Sequence, residues 1–132
     1  MVLVGVCAAL FALLAGAGLV LDLSRIVLTK KALQTVYDGA ALAASMELDG
    51  TAEGHERAKG VVDSWKDGGA FEWQAIESGL VEIGRDEKEV EFVRVSGGVK
   101  LPLTLVRLAV AQDATMVWTA STARRGDAAF TP

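Results

Sequence analysis

The sequence predicts an α+β chain: one long apolar α-helix, a second short helix and a small antiparallel β-sheet. Three observations carry this reading. None of the 13 basic and 17 acidic residues falls within Met1–Leu21. Helical spacing of apolar residues then continues to about residue 46, and from residue 71 the period changes to two. The chain is predicted to divide into a long helix over 1–48 and an α+β body over 49–132.

As a helix, the 21 uncharged residues of Met1–Leu21 rise about 31 Å, close to the ~30 Å hydrocarbon thickness of a bilayer. A body of this size cannot wrap a helix that is apolar on every side, so the segment needs lipid or copies of itself. The run exceeds the core of a cleaved signal peptide and has no basic residue before it, which argues against cleavage within the chain. Arg25–Met46 then sets Leu33, Val36, Tyr37, Ala40, Ala41 and Ala44 at helical spacing, with Gly39 as the weak point. Asp49-Gly50 ends this helix. Thr51 is predicted to cap a second one, whose Ala58, Val61, Val62 and Trp65 form a single stripe up to Asp67-Gly68-Gly69.

Phe71–Ile76 alternates, and Leu80–Gly84 leads through the charged turn Arg85–Lys88 into Glu89–Val95, the pattern of a β-hairpin. Ser96-Gly97-Gly98 is predicted to break that strand. Val99, Leu101 and Leu103 resume the alternation around Pro102, which marks a strand end. A short helix over Thr104–Ala111 and a last strand over Thr115–Ala123 complete the body.

Composition narrows function by exclusion. Cys7, the one cysteine, lies in the apolar run, and His55, the one histidine, lies in the polar stretch GTAEGHERAKG and reads as a solvated helix residue. Without a nucleophile–base pair or a ligand set, no catalytic, cofactor or metal residue is assigned. The net charge of −4 argues against a nucleic-acid partner. Glu72, Glu77, Glu82, Asp86, Glu87, Glu89 and Glu91 alternate with strand residues and read as a solvated face rather than a calcium site. Trp65, Trp73 and Trp118 lie on apolar stripes and read as packing between helix and sheet. Arg124-Arg125 reads as solubilising charge near the terminus. Two features of the long helix are candidate sites: the small residues Gly5, Ala9, Ala12 and Gly16 as a helix-packing interface, and Asp22 with Arg25 as a charge pair.

The run LLAGAGLVLDLSRIVLTKKALQTVYDGAALAAS resembles the N-terminal segment of the TadE/TadG-like pilus-assembly proteins. In that segment an apolar helix runs into Asp22 and Arg25, then Lys30-Lys31 with Leu33-Gln34, then the Asp38–Ala44 run. The later stretch VKLPLTLVRLAVAQDATMVWTASTARR is similar to the same family's strand, proline, short helix and final strand. The order and spacing of these pieces, over roughly residues 5–124, carry the likeness.

The resemblance implies a pilin-like, non-enzymatic subunit that assembles with copies of itself into an extracellular filament of the Tad/Flp or type IV kind. Met1–Leu21 would span the inner membrane before assembly and form the filament core at the cell surface afterwards, with the pilus assembly machinery as partner. A minor, membrane-anchored pseudopilin or assembly accessory is the alternative. By itself the basic flank of Arg25, Lys30 and Lys31 would place the body in the cytoplasm. The resemblance implies instead that a leader preceding Met1 sets the opposite orientation. Gly5 stands where pilins of the wider class carry a glutamate, so a Met1 ammonium in a filament core lacks that partner. Asp22 then has two candidate partners: Arg25 on its own helix, or the Met1 ammonium of a subunit displaced by about 31 Å.

Overall fold

The computed structural model describes residues 1–67, 76–108 and 114–126. The first element, α1, is one unbroken helix over Val2–Ser45. It closes by tightening: Met46, Glu47 and Leu48 donate their N–H groups three residues back, to Ala43, Ala44 and Ser45. The second helix, α2, spans Ala52–Asp67. Thr51 caps it as expected, its Oγ1 accepting from Gly54 N–H at 3.1 Å. Arg57 holds the turn between the helices by reaching Glu47 Oε2 at 3.1 Å and Asp49 Oδ2 at 2.8 Å.

Three antiparallel strands follow, β1 (Ile76–Arg85), β2 (Glu91–Pro102) and β3 (Ala114–Arg124), in the order β1-β2-β3, with a 3₁₀ turn at Val106–Leu108 before β3. The α+β architecture is therefore the one the sequence predicts. Both helices pack on one face of the sheet. Leu33, Tyr37, Ala41 and Ala44 of α1, Ala58 and Val62 of α2, Val93, Val95 and Val99 of β2 and Ala123 of β3 make one core, joined by Leu48. Burial of each large member contributes about 1.5–3 kcal/mol. The upper half of α1 thus belongs to the core of the body.

Several details depart from the sequence reading. The hairpin loop is longer than the four residues expected: Asp86 Oδ1 accepts from Lys88 and Val90 N–H at 2.9 and 3.0 Å, Glu89 takes φ 61°, and β2 starts at Glu91. The predicted break at Ser96-Gly97-Gly98 is absent, because β2 is the central strand and both neighbours pair with it there, Gly97 with Gly79 and Thr119, Gly98 with Ser78 and Trp118. A Cβ on Gly98 would come within 3.0 Å of the Trp118 ring, so the glycine gives that ring its seat. Trp118 lies on the outer face of the sheet, 53% exposed, and not between helix and sheet. Trp65 packs between the helices, where an added Cβ on Gly39 would meet its ring at 2.8 Å. The weak point of α1 is the place where the Trp65 ring of α2 rests. The short helix expected over Thr104–Ala111 is the 3₁₀ turn as far as residue 108. Its remainder, the alternation over 71–75 and Trp73 lie outside the described residues.

Candidate functional site

The lower part of α1 projects beyond the body. Met1–Ala17 is exposed throughout. Gly5, Ala9, Ala12 and Gly16 all lie on this exposed stretch. A Cβ added at Gly5 or Gly16 would meet nothing within 4 Å, so these positions are open to a neighbour. Gly18, which the sequence reading passed over, differs. It is the one buried residue of Met1–Leu21, and a Cβ there would come within 2.8 Å of Leu105 Cβ.

Leu105 reaches Gly18 because Asp22 holds the segment that carries it. Asp22 is 2% exposed. Its Oδ1 accepts from Thr104 Oγ1 at 2.7 Å and Thr104 N–H at 3.3 Å, and its Oδ2 accepts from Leu105 and Val106 N–H at 2.9 and 2.8 Å. These four donors favour the ionised carboxylate and satisfy backbone groups that the first turn of a 3₁₀ helix leaves without partners. Arg25 joins through the same hydroxyl: its Nη1 donates to Thr104 Oγ1 at 3.1 Å. Both oxygens of Asp22 are thus engaged within the chain, 82 to 84 residues away in sequence. Higher on α1, Gln34 accepts from the Thr119 hydroxyl of β3 and donates to Asp38 Oδ1 at 2.7 Å.

A second charged group sits at the far end of the sheet, and it corrects three readings. Glu91 belongs to the buried face of β2, not to a solvated one, and is 3% exposed. His55 is not merely solvated, since its Nε2 lies 2.9 Å from Glu91 Oε1. Arg125 does more than solubilise: its N–H donates to Glu91 O at 2.8 Å, and its guanidinium lies 3.7 Å from Glu91 Oε2. Arg85 stands 3.8 Å from Oε1. The His55 hydrogen bond foremost, then the neighbouring cations, hold the Glu91 carboxyl below the usual range against the opposing effect of burial.

A carboxyl depressed on folding supplies stability that is complete above its unfolded value, near 4.3, and is lost as pH falls through the folded value. Glu91→Gln should therefore lower the melting temperature at pH 7 and flatten its decline between about pH 5 and 3. Circular-dichroism melts across that range test this, and an unchanged acid limb would count against it. Among the described residues no three His, Cys, Asp or Glu side chains gather as a metal site.

With this geometry in view, comparison with known proteins concerns α1 above all. Residues 1–47 match the family model described as putative Flp pilus-assembly TadE/G-like. The TadE/TadG-like likeness is thereby supported over α1 and the turn after it, while the later stretch Val99–Arg125 lies outside the matched residues. No curated protein and no solved structure matches the chain. The match associates the chain with Flp pilus assembly, a structural rather than an enzymatic setting, and the long apolar helix with membrane anchoring. It also gives the family-like residues physical work: Leu33, Ala40, Ala41 and Ala44 are core positions and Gln34 fastens β3.

Proposed function

We propose that this chain is a pilin-like structural subunit whose lower α1 rests in the inner membrane and then exchanges lipid for identical helices in an extracellular filament. The observation that carries this is the exposed apolar helix itself. The body covers one side of α1 only above Gly18, so even beyond the first charge Leu23, Val27 and Leu28 stay 57%, 47% and 65% exposed. That apolar surface outruns a bilayer's thickness and suits neighbouring copies. The open positions at Gly5 and Gly16, with Ala9 and Ala12 between them, would let such neighbours approach closely.

Electron microscopy of purified native material tests the proposal: fibres composed of this chain alone are expected. If the chain is found only in membranes, or as a rare component of fibres made of another subunit, the accessory role replaces it. The proposal also puts the body outside the cytoplasm. Protease added to intact cells with the outer barrier permeabilised should digest residues from Thr51 onward, and protection until the inner membrane is opened would reverse the orientation.

A further inference from the structure

We infer that the segment Thr104–Arg107 is a second membrane-contacting element: a collar that enters the headgroup–acyl boundary of an anionic phospholipid bilayer beside α1 and sets the depth at which the helix stops. This rests on the anchoring half of the proposal above. It goes beyond it in assigning the contact to a loop 80 residues further along the chain.

The depth comes from the Gly18–Leu105 contact. Gly18 lies four residues before Asp22, about 6 Å toward the apolar end of α1. Leu105 packs against it and keeps 41% of its surface exposed, so the leucine stands alongside the uncharged run and not above it. Interfacial segments enter the boundary by about 5–10 Å, which is this depth.

Polarity agrees. Backbone N–H groups that enter hydrocarbon unpaired are costly, and a loop is excluded from it for that reason. Here Thr104, Leu105 and Val106 all give their N–H groups to Asp22. The carboxylate at the boundary and the loop's donors cancel one another, leaving Leu105 as the exposed apolar side chain, with Val106 half-buried beside it and Thr104 and Arg107 exposed on either side.

Charge identifies the occupant. Over residues 22–31 of α1 and 103–108 after β2 there are four cations, Arg25, Lys30, Lys31 and Arg107, against one anion, the buried Asp22. The chain as a whole carries −4. Basic residues at and above the edge of an apolar span, on an otherwise acidic protein, fit anionic headgroups.

The test uses the full chain in vesicles of phosphatidylcholine and phosphatidylglycerol. Cys7, the only cysteine, is replaced by Ser, and a nitroxide is attached in turn at Leu105→Cys, Arg107→Cys, Lys100→Cys and Leu14→Cys. Collision with oxygen against collision with a water-soluble nickel chelate reports the depth of each label. The expected order is Leu14 deepest, Leu105 and Arg107 at the boundary with nickel accessibility several-fold below that of Lys100, and Lys100 in water. Leu105 and Arg107 labels as nickel-accessible as Lys100, with Leu14 still deep, would overturn the collar and leave anchoring intact. A Leu105 label shielded from both reagents would show that protein covers the segment, and would also overturn it. A Leu14 label in water would remove the anchoring reading itself, and the collar with it.

Discussion

Asp22→Asn is expected to lower the melting temperature of the detergent-solubilised chain by roughly 10 °C, while Arg25→Gln shifts it by no more than about 1–2 °C. The asymmetry follows from what each side chain meets. Asp22 offers acceptors on both oxygens and receives four hydrogen bonds from Thr104, Leu105 and Val106. An asparagine amide offers one. Whichever way it turns, its NH₂ faces donors and leaves buried N–H groups unpaired, the costly side of hydrogen-bond loss. Arg25 is exposed and gives one hydrogen bond, to a hydroxyl that keeps its own bond to Asp22. The same pair of variants separates the two roles considered for Asp22. Loss of fibres by Asp22→Asn with an unaltered melt would place its work between subunits, at a neighbour's Met1, and equal small shifts in both variants would deprive the internal clamp of its importance.

Two glycines one turn or less apart should behave oppositely when each is enlarged. Gly16→Leu adds its side chain to open space, so the melt should stay within about 0.5 kcal/mol of the parent. Added apolar area also favours insertion, yet fibre yield should collapse if neighbouring helices approach at this position. Gly18→Leu drives a side chain into Leu105, and the overpacking should cost about 1–3 kcal/mol and lift the 103–108 segment from the helix. Limited proteolysis at that segment, run beside fibre sedimentation and thermal melts, distinguishes the two. Normal fibres from Gly16→Leu would count against close helix packing.

The parts that were legible in the sequence are those written locally. The length of α1 follows from unbroken helical spacing, the start of α2 from Thr51, and the hairpin from alternation on either side of the Arg85–Lys88 turn. Glu91 was half legible: it shares strand parity with Val93 and Val95, which places it on their buried face, but its partners His55 and Arg125 come from elements far along the chain. At Gly97-Gly98, local preference predicts a break. Pairing on both edges of β2 overrides it, and the Trp118 ring occupies the space a side chain would need. The Asp22 clamp could not be read from its neighbourhood in sequence, because its donors lie 82 to 84 residues away. Its only hints were an aspartate ending an apolar run and a threonine two residues after Pro102.

The two fastenings of the β-structure to α1, at Asp22 and again at Gln34, lie about 18 Å apart along the helix axis. Tension applied to the apolar end of α1 therefore reaches the body as shear across both levels and the core between them, and not as a peel that opens one contact at a time. Contacts loaded in parallel yield together, at higher force than the same contacts loaded in series. The mechanically weaker stretch of this molecule is then the bare helix below Gly18, whose holding strength is whatever surrounds it.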